Sequence, residues 1–386
     1  MAFHLSLFTD LKYYIIAGEA SGDLHASNLM KELKLADKEA SFRFWGGDLM
    51  QLQGGHMVKH IKELAFMGFF EVIMNIRTIL KNIKLCKKDI IAYHPAAVIM
   101  VDYPGFNLRI AKFLKEYNIP VLYYISPQIW AWKASRIHQI KRDVTKMYTI
   151  LPFEKSFYKK LNVEVDFVGH PLIDAIDEFK RSHAKEKEDF LELNQLDQRP
   201  IIAVLPGSRV QEINLKLPIM LKAVEDLEDY QVIIAAAPAI NQALYAKFIA
   251  KKNNVKIIYK DTYNILNQSK CAIVTSGTAT LETALFKVPQ VVCYKSSWIS
   301  YQIAKKLIKV KFISLVNLIL DKEAVKELIQ DDLTPEMIKK ELDLILNSPK
   351  RNSMLADYEL LEKMCGGKGA SRITANEMLK TIRDNS

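Results

Sequence analysis

The chain contains no unbroken apolar run of the roughly 18 residues that a membrane-spanning helix needs, so no such helix is expected. Its four cysteines, Cys86, Cys271, Cys293 and Cys365, show no metal-type spacing. A zinc module is therefore not expected, and Cys271 and Cys293, set in apolar runs, read as small buried hydrophobes of a reduced, cytosolic protein. A Walker phosphate loop, a Gly-x-Ser-x-Gly elbow and an Asp-x-Asp pair are all missing. A leaving diphosphate, if this chain handles one, must then be neutralised by helix termini and arginine rather than by a bound metal, and no cofactor is expected. Short-period repeats and low-complexity tracts are also missing. The first ten residues are apolar but lack a basic leader region, so they are not read as a signal peptide.

What is present is the material of large cores. Apolar residues make up 49% and charged residues 25% of 386 residues, enough for two or three domains and against disorder. The formal net charge of +10 suits a phosphorylated substrate, an anionic membrane surface or nucleic acid, without choosing among them. Along residues 12–35 the pattern reads strand (Tyr13 to Ala17), loop (Gly18-Glu19-Ala20-Ser21-Gly22-Asp23) and helix (Leu24 to Leu33). Strands are expected near Phe42–Trp45, Ala97–Val101, Val121–Ile125, 148–151 and 165–168, with helices near 69–92 and 106–117. After a charged, apolar-poor stretch from Arg181 to Gln198 the pattern restarts. Pro200–Leu205 is a strand, Pro206-Gly207-Ser208-Arg209 a loop and 211–226 a helix. Further strands are expected at Gln231–Ala236, Val255–Tyr259, Cys271–Thr275 and Gln290–Tyr294. From about 321 onward the chain reads as helical, with no more strands. The alternation predicts an α/β protein of two Rossmann-like, doubly wound parallel-sheet domains facing a cleft.

The most informative stretch is 271–294. A buried strand runs into Ser276-Gly277-Thr278, then into helix formers that Pro289 stops. The first N–H groups of such a helix are unpaired and carry partial positive charge, which suits a diphosphate. Glu282, one turn in, is placed to accept hydrogen bonds from a ribose diol. The plain alternative is an ordinary capped helix, but the position that a capping box needs is Ala279. Arg209, just after a strand, is a second candidate for a phosphate.

Other candidates lie in the first half. Asp102 ends an apolar strand in Val101-Asp102-Tyr103-Pro104-Gly105-Phe106-Asn107, either as a general base at the cleft or as a helix cap. Gly18, Ser21 and Gly22 form a Gly-x-x-x-Gly loop that only partly matches a dinucleotide fingerprint. Trp130 and Trp132 flank one alanine after Ser126-Pro127, either to stack on a sugar or for local packing. His170, in Phe167-Val168-Gly169-His170-Pro171, is more ordinarily structural.

Taken in order, Gly18 to Asp23, Ser126-Pro127-x-x-Trp130-Ala131-Trp132, Leu151-Pro152-Phe153-Glu154, Phe167 to Pro171, Leu205 to Arg209 and Ser276 to Glu282 resemble the lipid-A-disaccharide synthase family, over roughly Tyr13 to Met378. Val316 departs from the family's usual proline. The resemblance implies an inverting, metal-independent glycosyltransferase of GT-B architecture. It would move 2,3-diacylglucosamine from UDP-2,3-diacylglucosamine to the 6-hydroxyl of 2,3-diacylglucosamine 1-phosphate. Residues 1–175 would be the acceptor-side domain and 176–350 the UDP-sugar domain, with helices in 351–386 packing back on the first. Arg209, Ser276, Gly277 and Thr278 would hold the diphosphate, Glu282 the ribose, and Asn317 the same side. Gly18, Ser21, Gly22, Trp130 and Trp132 would line the acceptor side. Asp102 is the expected base, with His25 the alternative. Rival readings are a UDP-N-acetylglucosamine 2-epimerase and a non-catalytic basic membrane- or nucleic-acid-binding protein.

Substrates with acyl chains imply a membrane surface. Phe69, Val72, Ile73, Ile76, Ile79, Leu80 and Ile83 share one helical face, and Phe66, Met67, Phe70 and Met74 add apolar area outside it. Lys81, Lys84, Lys87 and Lys88 follow. Trp298 to Phe312 again mixes apolar residues with lysines. Phe69, Phe70, Val72 and Ile73 are the expected contacts with an anionic bilayer. The expected location is cytoplasmic, peripheral on the inner membrane. The expected partners are the two lipid substrates, that surface and a second copy of the chain, with no nucleic acid.

Overall fold

The computed structural model describes residues 11–64, 75–238, 240–249, 254–297, 301–302 and 310–385. The chain divides into two compact units, Met1–Asp174 with Gly366–Ser386, and Ala175–Cys365.

The first unit is a parallel seven-stranded sheet. Its strands are β1 (Lys12–Ala17), β2 (Ser41–Gly46), β3 (His56–His60), β4 (Ala97–Val101), β5 (Val121–Tyr124), β6 (Lys146–Thr149) and β7 (Asp166–Phe167), in the order β3-β2-β1-β4-β5-β6-β7. The central strands are wholly buried, as near-continuous apolar runs such as Tyr13–Ala17 and Ala97–Val101 require of a sheet covered on both faces. The order reverses between β1 and β4. At such a switch point the connections after the two strands leave in opposite directions and open a crevice at their carboxyl ends. Gly18 follows β1 and Asp102 follows β4, so both motifs come to this crevice.

The second unit repeats the design. Strands β8 (Ile201–Leu205), β9 (Gln231–Ala236), β10 (Val255–Tyr259), β11 (Ser269–Thr275), β12 (Gln290–Tyr294) and β13 (Lys326–Ile329) pair in parallel in the order β10-β9-β8-β11-β12-β13. Its switch point lies between β8 and β11. The loops that follow these strands carry Arg209 and Ser276-Gly277-Thr278.

Several expectations change, and the strand His56–His60 was not among those expected. The helix Ala20–Ala36 starts four residues early, so Ser21 and Gly22 are helical rather than looped. A Cβ on Gly22 would come 3.3 Å from that of Ala17, so this glycine lets the helix start close against β1. Secondly, Lys326–Ile329 is a strand at the edge of the second sheet, where helix was expected. It is only four residues long and half charged, as an edge strand tolerates, and its apolar signal is correspondingly faint. Thirdly, the helices of 351–386 part company. The helix Lys350–Met364 stays with the second unit, where Met354 and Tyr358 bond to Gln290. Only the helix Ala370–Asp384 joins the first, packing along Ala20–Ala36. Asp174 fixes its start by accepting from the N–H groups of Gly369 (2.6 Å) and Ser371 (2.9 Å).

Phe69, Phe70, Val72 and Ile73 lie outside the described residues, as does most of Trp298 to Phe312. The helix Ile76–Tyr93 is described, and its apolar residues divide. Ile83, Cys86 and Ile90 are core, whereas Ile76, Leu80 and Leu85 are exposed beside the lysines. The expected single face is thus two faces. All four cysteines are buried and free.

Candidate active site

In the first unit the backbone turns sharply after β4. Asp102 and Tyr103 are both left-handed (φ 46° and 49°), a conformation that costs a non-glycine residue about 1–2 kcal/mol. Three bonds enforce it. The Asp102 N–H donates to the Tyr124 carbonyl (3.0 Å). The Asp102 carbonyl accepts from Asn107 Nδ2 (2.7 Å) and from the Tyr123 hydroxyl (2.6 Å). Those bonds take up the backbone and leave the carboxylate directed by the turn. Strain held by surrounding bonds in this way is characteristic of functional positions. Burial, then the charge of Glu19, pushes the Asp102 carboxyl up to about 6, against smaller opposing effects of the Tyr103 backbone and Arg136. A carboxylate that ionises near neutral pH is a better proton acceptor than one that ionises near 4.

His25, the alternative base, is buried, and burial pulls it down to about 4, while its Nδ1 has no partner. It is a weak base, closed off from solvent. His170 is also buried, its Nδ1 accepting from the Leu172 N–H at 3.2 Å, and is pulled down by burial and by His25. Both histidines are therefore neutral at pH 7.

The glycine-rich motif is largely architectural. A Cβ on Gly18 would lie 2.4 Å from the Tyr103 ring. Asp23 accepts from the N–H groups of Gly47, Leu49 and Met50 at 2.6–3.2 Å, capping the short helix Asp48–Leu52. Ser21 is exposed near the helix start. The tryptophans differ from one another. Trp130 Nε1 donates to Glu154 (3.2 Å), and its ring meets Phe153 edge-on. Glu154 is buried, also accepts from Ser126, Ile150 and Leu151, and is raised by that burial. This clasp explains the Leu151-Pro152-Phe153-Glu154 motif. Trp132 is 43% exposed and carries Lys133 at 4.4 Å and Arg136 at 5.5 Å from its ring. Burial lowers the pKa of Arg136, and the charge of Asp102 opposes that effect. No local sequence signal marks Arg136 or Glu19. Tertiary folding brings them to Asp102.

In the second unit Gly277 (φ 144°) caps the helix Thr278–Leu285 without any side-chain bond, and a Cβ there would meet nothing within 4 Å. The helix N-terminus is open. Ser276 is anchored at its Oγ to the Ile313 carbonyl (2.8 Å) and at its N–H to the Cys293 carbonyl (3.1 Å), and Thr278 is exposed. Arg209 is 67% exposed, with Glu212 3.8 Å away. Glu282 is largely buried, which raises its carboxyl, and one oxygen accepts from the Tyr263 hydroxyl (3.0 Å).

Asn317 does not line this site. It is fully buried. Its Nδ2 donates to Val325 and Glu327, and its Oδ1 accepts from the N–H groups of Ala324 and Val325. All four hydrogen-bonding positions of the amide are occupied. Ser314 caps the helix Leu315–Leu320 by accepting from the Asn317 N–H, and Glu327 fixes that turn by accepting from the N–H groups of Ile313 and Ser314.

Two doubly wound parallel sheets, each with loops opening at a switch point, define the GT-B fold class. Solved structures share this fold. A UDP-GlcNAc 2-epimerase from Neisseria meningitidis bound to UDP-GlcNAc has a TM-score of 0.67 at 13% identity, covering 96% of this chain and 100% of its own. The glycotransferase of kitacinnamycin has a TM-score of 0.68 at 11% identity, covering 96% and 98%. At such identities the likeness concerns fold alone. The sequence discriminates further. The family model described as lipid-A-disaccharide synthetase matches residues 13–378. The lipid-A-disaccharide synthase of Syntrophus aciditrophicus is 37% identical over 378 residues, covering 96% of this chain and 97% of the relative. The chain belongs to the lipid-A-disaccharide synthetase family, whose members are glycosyltransferases of lipid A biosynthesis using a UDP-sugar donor and a sugar acceptor.

Proposed function

We propose that this chain transfers 2,3-diacylglucosamine from its UDP derivative to the 6-hydroxyl of 2,3-diacylglucosamine 1-phosphate, giving the β-1,6-linked disaccharide phosphate and UDP. The observation that carries the catalytic assignment is Asp102, strained at the end of β4, held by three backbone bonds and ionising near 6. Its carboxylate takes the proton of the acceptor hydroxyl as that oxygen attacks the anomeric carbon. The bond from that carbon to the diphosphate breaks on the opposite face, and UDP departs with the electron pair, so configuration inverts. Arg209 and the N–H groups at Gly277 and Thr278, with Ser276 anchoring their loop, receive the diphosphate charge. Glu282 accepts from the ribose diol. Gly18 to Gly22 and Trp130 shape the acceptor side, and Trp132 with Lys133 and Arg136 presents an aromatic and cationic surface to it.

The acyl chains place the work at an anionic membrane surface, on the cytoplasmic face in this reading. No helix among the described residues is long and apolar enough to cross a membrane. Supporting attachment are the exposed Ile76 and Leu80 beside the lysines of the helix Ile76–Tyr93 and the apolar run of Phe69, Phe70, Val72 and Ile73 before it. Self-association as a homodimer belongs to the same reading.

The decisive experiment mixes purified protein with UDP-2,3-diacylglucosamine and the lipid acceptor and follows UDP release, with and without EDTA. Acceptor-dependent release that persists in EDTA is expected. Among the described residues no three His, Cys, Asp or Glu side chains gather as metal ligands. Release of no UDP overturns the reading, and epimerisation of UDP-N-acetylglucosamine without acceptor replaces it.

A further inference from the structure

The second unit contains a lysine that none of these steps uses. Lys216 lies one turn beyond Glu212 in the helix Val210–Ala223, and its side chain is 2% exposed. Among the described residues the only carboxylate within 4 Å of its ammonium is that of Glu212, at 3.9 Å, and Glu212 is itself partly open to solvent. Burying an ammonium beside one loosely placed carboxylate is unfavourable, and an apolar side chain of similar volume is usually the more stable occupant. Burial accordingly lowers the pKa of Lys216.

The surroundings point to the reason. Glu212 stands between two cations, Lys216 on one side and the exposed Arg209, 3.8 Å away, on the other. The same carboxylate lies over Gly207, where a Cβ would come within 2.4 Å of it. Glu212 thus sits on the loop that follows β8. Lys216 is also close enough to Cys293, near the end of β12, for the two to influence each other's charge. Cys293 pairs in register with Thr275, so their side chains share one face of the sheet. The Thr275 hydroxyl on that face is buried without a partner. Cys293 also accepts, through its carbonyl, the N–H of Ser276. Lys216 therefore reaches the loop after β8 through Glu212 and is charge-coupled to Cys293, whose carbonyl holds the loop after β11.

We propose that Lys216 is a positioning residue for the donor's diphosphate: its buried ammonium engages Glu212, so that Arg209 is not locked into an ion pair and the two loops keep one positive charge in excess. This inference rests on the donor reading above. With Lys216 neutral, Glu212 cancels Arg209. With both Lys216 and Glu212 neutral, the excess charge on Arg209 returns.

The test is calorimetric titration of the full chain with UDP, UMP and uridine at fixed ionic strength. Lys216→Met should raise the UDP Kd at least about tenfold, raise that for UMP less, and leave that for uridine unchanged. Adding Glu212→Gln to it should restore UDP affinity, and Glu212→Gln alone should bind UDP more tightly than wild type. This last variant retains Lys216 and keeps the test decisive should Lys216→Met fail to fold. Equal losses for all three ligands, a UDP Kd within about twofold of wild type, or no rescue by Glu212→Gln overturns the proposal while leaving the donor reading in place. A wild-type protein that binds no UDP overturns both.

Discussion

At the residue scale, Asp102 trades stability for function, and that trade is measurable. An aspartate in an unfolded chain ionises near 3.9. In the folded protein Asp102 retains its proton up to about 6, chiefly because burial penalises its charge. Between these values the native state binds more protons than the unfolded state, so stability falls as pH rises through this window and stays lower above it. Asp102→Asn removes the penalty, and asparagine tolerates left-handed backbone well. The variant should be more stable than wild type at pH 8, by at most about 3 kcal/mol, with the gain gone by pH 4. It should also lose roughly two or more orders of magnitude in turnover. Urea unfolding at the two pH values and steady-state rates check both statements, and wild-type activity should rise with a midpoint near pH 6. Near-normal turnover in the folded variant would remove Asp102 as the base. In the other unit, Arg209→Ala and Glu282→Gln should each weaken UDP binding, by about 1.5–3 kcal/mol for the arginine. Glu282→Gln keeps an acceptor for Tyr263, so the aromatic packing of Tyr263 with Phe286 and Phe179 persists. Unchanged calorimetric affinity in both variants would move the donor site elsewhere.

At the scale of elements, the helix Ile76–Tyr93 shows how burial resolves an ambiguous stripe. Ile83, Cys86 and Ile90 face the core, whereas Ile76 and Leu80 meet solvent next to Lys81 and Lys84. Exposed apolar groups flanked by cations suit an anionic bilayer, each lysine contributing about 1 kcal/mol of attraction. Ile76→Ser combined with Leu80→Ser should reduce sedimentation with anionic vesicles and leave the thermal transition unchanged, because neither side chain fills the core. Undiminished vesicle binding would assign attachment to Trp298 to Phe312 or to another surface. The short strand Lys326–Ile329 makes the opposite point. Its backbone pairing with β12 overrides a charge-rich sequence, because hydrogen bonding at a sheet edge needs little apolar surface.

At the scale of the whole molecule, the last helix belongs to the first unit although the whole of the second unit lies between them in sequence. Ala370–Asp384 buries Ala375, Met378, Leu379 and Ile382, and the Tyr148 hydroxyl bonds to Thr381 at 2.8 Å. Truncation after Cys365 should therefore destabilise the first unit, exposing Ala20–Ala36, while UDP binding by the second unit survives. Proteolysis and UDP titration of the truncated chain check this, and a fully protected first unit would contradict it. The sequence by itself determined the two βα alternations, the loops after β1, β4, β8 and β11, and the family. These signals are local, since apolar periodicity and small residues at a strand end act within a few positions. Only the tertiary structure decided that Asn317 is a clasp rather than a ligand, that the charges of Glu19 and Arg136 act on Asp102, and that Lys216 is buried beside Glu212. Each depends on which strands are neighbours and on what burial does to a charge. Spacing along the chain carries neither, because a side chain's partners are set by strand order and its ionisation by the solvent it has lost.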